Sequence, residues 1–201
     1  MIARKSLSFL SLAPIAAAFL IAGPLAAPRA LAFGSAPSSK PAKVSTPSSP
    51  ADSAALAAQT RASAEALYKK AWEDSEAGKA DLKNNKPKDA NKKFGKALKR
   101  YDQATKLDPT YFEAWNMVGF CSRKTGDLKR SFAAYDKALQ LKPDYDEAHE
   151  YLGEAYLMSG DIAKAKEQLA WLKEKQSAEA TELEEAIEAA EKGKTAEHGG
   201  W

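Results

Sequence analysis

Apolar and polar positions follow a helical period through most of the chain after residue 51. Trp115, Val118 and Ser122, for example, share one face of a helix, because residues three or four positions apart are neighbours there. Ala, Leu, Lys, Glu and Asp dominate this part of the chain, a composition that favours helix. Proline occurs there only at positions 87, 109 and 143, and proline fits the first turn of a helix but not its interior. The pattern predicts an all-α protein whose helices are separated at these prolines.

One phrase occurs twice at a separation of 34 residues. Residues 101–115 read YDQATKLDPTYFEAW and residues 135–149 read YDKALQLKPDYDEAH, with eight of the fifteen positions identical. Residues 112–145 and 146–179 therefore form two successive units, each with two helices joined by a Gly-Asp turn. The glycine permits a left-handed backbone at the end of the first helix, and the aspartate can cap the second. Each unit is predicted to be a closely packed helical hairpin.

A preceding unit, at about 61–111, ends in the same way but begins differently. Its turn, at residues 84–87, lies about one heptad earlier than the 34-residue period predicts. We expect two lengthened helices, about Arg61–Asn84 and Pro87–Leu107, since seven extra residues make nearly two turns and preserve the buried face. The register of the first of these helices stays open.

A last helix is predicted at about 178–192, where Ala180, Leu183, Ile187 and Ala190 form one narrow apolar face. A stack of repeats exposes the face of its last member, so a final helix with one apolar side is expected to cap it.

The units resemble the tetratricopeptide repeat (TPR), which has 34 residues and a characteristic pattern of large and small positions. Departures occur at Ser122, His149 and Ser177, which stand at the usual Tyr, Trp and Pro sites. The resemblance covers about 61–192 and implies a right-handed superhelix (solenoid) of about three hairpins plus the capping helix. The positions that carry the pattern are Trp115, Val118, Gly119, Tyr135, Ala138, Pro143, Leu152, Gly153, Tyr156, Gly160 and Ala165.

The resemblance also implies a concave groove, formed by the first helix of each unit, that binds a peptide segment. The alternative is that this face is ordinary exterior. Some relatives grip a terminal carboxylate with basic residues, and the many glutamates of the third unit argue against that mode here. The candidate groove residues are Glu113, Asn116, Phe120, Arg123, Lys124, Glu147, Glu150, Glu154, Leu157 and Met158.

The first 32 residues are typical of a cleaved signal peptide. A short basic start precedes an apolar run, and Ala30-Leu31-Ala32 is a small-x-small cleavage site. The rival interpretation is a membrane anchor, but the run is shorter than the roughly 20 residues that a span needs, and Pro14 interrupts it. The sequence predicts export to the periplasm, or secretion, with no stable membrane anchor after cleavage.

Two segments of low apolar content flank the predicted repeats. Residues 33–60 begin with a Pro/Ser-rich stretch that has almost nothing to bury, and we expect a flexible linker there. The tail at 193–201 is expected to be disordered.

Candidate chemistry is sparse. Cys121 is predicted to be a small buried residue and His149 a packing residue. No nucleophile–base pair, metal-ligand cluster or phosphate loop is recognisable in the sequence. We therefore expect no catalytic residue, no metal and no cofactor. The lysine-rich stretch at 83–100 is compatible with an anionic partner such as nucleic acid. Acidic residues interrupt it, however, and an exported protein meets little nucleic acid, so no nucleic-acid binding is expected.

Charge is segregated along the repeats. Residues 61–111 hold 13 basic and 8 acidic side chains, whereas residues 146–192 hold 5 basic and 13 acidic ones. Such polarity leaves head-to-tail self-association open.

The sequence favours a non-catalytic scaffold or adaptor of the bacterial envelope that binds another protein. The alternatives are a self-assembling structural unit and a non-catalytic subunit of an envelope enzyme complex.

Overall fold

The computed structural model describes residues 49–193, which belong to one compact unit. The predicted signal peptide, most of the predicted linker and the tail beyond residue 193 lie outside these residues. The described range contains seven helices and no strand, which confirms the all-α prediction. The helices are α1 (Pro50–Lys83), α2 (Pro87–Leu107), α3 (Phe112–Lys124), α4 (Leu128–Leu141), α5 (Asp146–Met158), α6 (Ile162–Glu174) and α7 (Ala180–Glu191).

Consecutive helices pack as the three antiparallel hairpins α1–α2, α3–α4 and α5–α6, and each hairpin stacks on the next. Helix α7 packs against both α5 and α6. Three hairpins with a capping helix is the TPR-like architecture that the repeat predicts. Within residues 49–193, no helix has both the length and the apolar character needed to cross a membrane.

Helix α1 begins at Pro50, well before the expected start at Arg61, so the predicted linker over 33–60 is wrong at residues 50–60. The reason is local. Proline occupies the first turn, and the Ser49 side chain accepts a hydrogen bond of 3.1 Å from the Asp52 backbone N–H. Alanine-rich sequence then continues the helix. Since nearly all of residues 50–60 are exposed, capping and helix propensity hold this extension rather than core packing.

Each hairpin brings a glycine against a large side chain. A Cβ atom at Gly119 would lie 2.4 Å from the Tyr135 ring, and one at Gly78 would lie 2.8 Å from the Phe94 ring. Gly78 stands as far from its turn as Gly119 does, which settles the register of α1. The extra turns of the first hairpin therefore lie between this contact and the open end of the hairpin.

The turns follow the predicted chemistry. Gly126 and Gly160 have φ of +89° and +81°, in the left-handed region where glycine is favoured. Asp127 and Asp161 then cap the following helices by accepting backbone N–H bonds of 3.0 and 3.1 Å. In the first hairpin Asn85, with φ of +57°, takes the role of the glycine.

The two residues with candidate chemistry are both occupied in packing. The Cys121 thiol is buried, 3.6 Å from the Ser75 hydroxyl, and burial raises its pKa to about 12. The His149 ring stacks on Trp171 with centroids 3.6 Å apart, and one ring nitrogen lies 3.0 Å from the Pro143 carbonyl oxygen. The predictions that Cys121 is buried and that His149 is a packing residue are confirmed.

The close contact of α1 with α2 gives a matched pair of substitutions. Gly78→Ala should lower the free energy of unfolding by about 1–3 kcal/mol, because its methyl group would collide with the Phe94 ring. Gly95→Ala, on α2 with no atom within 4 Å of the added Cβ, should raise it by about 0.5–1 kcal/mol. Urea unfolding followed by circular dichroism measures both. Equal stabilities of the two variants would contradict the deduced register.

Candidate functional site

The first helices α1, α3 and α5, together with the start of α7, form one continuous surface, here called the first-helix face. Tyr68 of α1 lies 5.2 Å from the Tyr111 ring just before α3, and Phe120 of α3 lies 5.3 Å from the Tyr151 ring of α5. Helix α5 in turn packs on α7. This is the face on which the sequence places a peptide-binding groove.

The predicted groove residues divide into two groups. Glu113, Lys124, Glu147 and Glu154 are half-buried, and Met158 is 39% exposed. The other members are buried, so they form the floor of the first-helix face rather than an open lining. They are Asn116, Phe120, Arg123, Glu150 and Leu157.

The structure corrects the roles expected of two apolar residues. Phe120 is only 3% exposed and packs edge-on against Phe94, with ring centroids 5.7 Å apart. It belongs to the core, and its truncation would cost about 3–5 kcal/mol of stability rather than leave the fold intact. Leu157 packs with Leu172 and Leu183, because α7 covers that end of α5. The sequence does not show where α7 docks, so this burial could not be anticipated.

A basic group lies at the C-terminal ends of α1 and α3. The ammonium groups of Lys79 and Lys124 stand 5.0 and 5.4 Å from the centre of the Phe120 ring. Arg123 is buried beneath them and forms an ion pair with Glu154 of α5. Burial, followed by repulsion from Arg123, lowers the pKa of Lys124 to about 7.

An acidic group lies toward the N-terminal ends of α3, α5 and α7. None of its members forms an ion pair with a basic side chain in the described part of the chain, although Glu147 accepts a hydrogen bond from the Tyr145 hydroxyl. The sequence did not predict two of its members, Glu179 and Glu182, because they belong to the cap region rather than to a repeat. The group comprises Glu113, Glu147, Glu150, Glu179 and Glu182.

Glu150 is the most buried of these carboxylates, at 2% exposed. Burial raises its pKa to about 9, and the neighbouring Glu154 adds to the effect while Arg123 opposes it. Glu179 and Glu182 at the start of α7 raise it further. The pKa of Glu179 is also raised, first by burial and then by Glu182. The buried Glu150 carboxyl thus lies beside the half-buried Glu179 and the exposed Glu182, which repel it when it is charged.

Aromatic side chains also lie on the first-helix face, and most of them were not predicted. Tyr68 stacks on Trp72 with centroids 6.4 Å apart, and Trp72 is 37% exposed. Tyr145 packs against Phe112 at 5.0 Å. The four-residue spacing of Tyr68 and Trp72 was a usable signal, but with the register of α1 open their face could not be assigned.

The basic stretch on α2 is partly neutralised by its own hairpin. Arg100 and Lys96 form ion pairs with Asp74 of α1, and Lys93 forms one with Asp81. The first-helix face differs, because it presents acidic groups with no such partners beside partly open aromatic rings. Chemically, this arrangement suits the binding of a segment that brings apolar and cationic groups.

Glu150 predicts a pH dependence of stability. An acid whose pKa is higher in the folded chain stabilises the fold at low pH, and this contribution is lost as pH rises from its ordinary value of 4.5 toward about 9. Glu150→Gln removes this loss of stability, because the glutamine side chain does not ionise. Its melting temperature relative to the parent should therefore increase from pH 5 to pH 8 by about 3 °C or more, the shift produced by roughly 1 kcal/mol in a chain of this size.

Glu185→Gln, on the exposed side of α7, is the control with the same change of charge, and its difference from the parent should be similar at the two pH values. The prediction fails if Glu150→Gln and the parent differ by the same amount at pH 5 and pH 8. Circular dichroism melts at both pH values provide the comparison.

Comparisons with known proteins found one family match and similar solved structures. Residues 123–160 match the TPR repeat family, and this segment spans α4 and α5 with their flanking turns. No curated protein matches the chain. Among solved structures, the Yersinia enterocolitica type III secretion chaperone SycD, in complex with a peptide of the translocator YopD, is 18% identical with a TM-score of 0.48. That match covers 65% of this chain and 93% of the other. Residues 123–160 are thus similar to a TPR repeat by sequence, inside a stack of three hairpins.

Proposed function

We propose that this chain is a non-catalytic adaptor that binds a segment of another protein on its first-helix face. The observation that carries the proposal is the contrast between partnered and unpartnered groups. Charges on α1 and α2 pair with each other, whereas the five carboxylates of the acidic group have no basic partner among the described residues. An exposed Trp72 lies on the same face. Aromatic anchors beside oriented charges are typical of protein-binding surfaces.

The repeat architecture supports the same function. TPR hairpins, to which residues 123–160 are similar, serve mainly as binding modules. The two groups on which nucleophilic chemistry could depend, Cys121 and His149, are held in packing contacts. A binding role uses the features that the first-helix face offers and needs no reacting group.

The place of action is the cell envelope. The support is the N-terminal sequence, whose basic start, apolar run and Ala30-Leu31-Ala32 site are typical of a cleaved signal peptide. The adaptor would then act in the periplasm or outside the cell, joined to no membrane after cleavage.

Export predicts a defined mature chain. Intact-mass analysis of the protein recovered from the periplasmic fraction should show Phe33 as the first residue, because signal peptidase cuts after the small residue at position 32. Retention of Met1 in a chain recovered from the cytoplasm would contradict the proposed location.

The binding face predicts which exposed apolar side chain a partner contacts. A partner captured from envelope extract and then purified should bind Trp72→Ala about fivefold more weakly than the parent, since an exposed aromatic at a binding site commonly contributes more than ~1 kcal/mol. Titration calorimetry measures the affinities, and circular dichroism melts establish that the variants fold.

Leu56→Ala is the matched control. Leu56 is 51% exposed on the same helix but lies on the N-terminal extension, beside Leu107 rather than on the first-helix face. Its affinity should equal that of the parent. Weakening by Leu56→Ala with no effect of Trp72→Ala would move the binding surface to the open end of the first hairpin.

A further inference from the structure

Three carboxylates from two helices converge at one end of the first-helix face. Glu150 of α5 lies beside Glu179, immediately before α7, and Glu182 in the first turn of α7. One oxygen of each lies within 4.8 Å of the others. Glu150 is 2% exposed and makes neither a hydrogen bond nor an ion pair within residues 49–193. This set is here called the carboxylate pocket.

A second buried polar group lies on α3 of the same face. The Asn116 side chain is fully buried, and neither its amide oxygen nor its amide nitrogen has a hydrogen-bond partner. Its amide faces the hydroxyl of Tyr145, which donates to Glu147. Glu147 in turn lies close enough to Glu179 to raise the pKa of that carboxyl. A series of polar groups therefore leads from the buried Asn116 amide through Tyr145 and Glu147 toward the carboxylate pocket.

This arrangement is costly for the chain by itself. A buried polar group without a partner is unfavourable, and like charges at this separation repel. The N-terminal ends of α5 and α7 supply partial positive charge, which offsets only part of the repulsion. A cation that entered from the open side of the face would offset this repulsion.

We propose that the carboxylate pocket receives an arginine or lysine side chain of the partner segment, an inference that rests on the proposed function. The charge is complementary, because the pocket joins several carboxylates with no basic side chain paired to them. The shape also fits. A guanidinium carries five N–H donors in a planar fork and can serve several acceptors at once, and it also lies well against aromatic rings such as that of Tyr151 beside Glu147 and Glu150.

The position of the carboxylate pocket also determines how the partner segment lies on the first-helix face. The segment would place its basic residue at α5 and α7 and an apolar residue toward Tyr68 and Trp72 of α1. The basic group around Phe120 lies at the C-terminal ends of α1 and α3, where an acidic residue of the segment would be favoured and a basic one disfavoured.

Phage-displayed random peptides of about 12 residues, selected on the full chain, provide the probe. Selected peptides should share an arginine or lysine. Synthetic versions in which citrulline replaces that arginine, or norleucine that lysine, keep the size of the side chain and lose its charge. They should bind the parent about tenfold more weakly, as is common for a charge pair removed from a low-dielectric site.

Glu150→Gln makes the test specific to the pocket. The parent peptide should lose about tenfold in affinity for this variant, and the penalty of the citrulline or norleucine replacement should then largely vanish, because the two changes remove the same interaction. Glu185→Gln, with the same change of charge on the exposed side of α7, should bind like the parent chain. Folding is not at risk, since Glu150→Gln keeps the size of the side chain and removes the cost of ionising a buried carboxyl.

Other outcomes overturn the inference. Peptides that depend on Trp72 but carry no essential basic residue would leave the proposed function standing and refute the pocket. A chain that selects no peptide would refute both. A melting temperature raised by Ca²⁺ or Mg²⁺ in the parent but not in Glu150→Gln would make the pocket a metal site and likewise refute the inference.

Discussion

The structure depends on the close approach of a glycine in the first helix of each hairpin to a bulky side chain. At Gly78 and Gly119 that side chain is an aromatic ring of the second helix, and no other residue type leaves room for it. The contact fixes the rotation of each first helix about its axis. It thereby decides which side of α1 and α3 is buried in the hairpin and which side remains for the first-helix face.

The third hairpin meets the same constraint differently, and the acidic site follows from that difference. The space above Gly153 is filled by Leu183 of α7, whose side-chain atoms are the nearest to it. Leu169 stands where α4 has Tyr135 and is a smaller residue. Helix α7 is therefore drawn against α5, and its first turn brings Glu179 and Glu182 to Glu150. A packing solution at the end of the stack creates the carboxylate pocket.

The charges of the first-helix face conflict with stability. Local and global preferences agree over most of residues 49–193, in caps, turns and core, but not at the buried Glu150 and the half-buried Lys124, whose pKa values are shifted away from their ordinary ranges. Natural proteins break such rules mainly at functional sites. The location of both groups on one face is the reason to place function there.

The sequence predicted the parts of the fold that repeat. The 34-residue period, the Gly-Asp turns and the small residue at Gly119 are local signals, and they were enough to define the hairpins. It could not define what depends on contacts between distant segments. The start of α1 at Pro50, the burial of Phe120 between α2 and α5, and the docking of α7 on Leu157 are examples. Half of the candidate site was consequently expected to be exposed and is buried, and Glu179 and Glu182 were not expected at the site at all.

The central claim is that a partner segment binds on the first-helix face, and amide hydrogen exchange on the full chain, with and without a bound peptide, tests it most directly. The account predicts new protection in α1 around Tyr68 and Trp72, in α3, in α5 and at the start of α7 around Glu179, with little change in α4 and α6. Protection confined to α2, α4 and α6, or to residues 50–60 around Leu56, would contradict it.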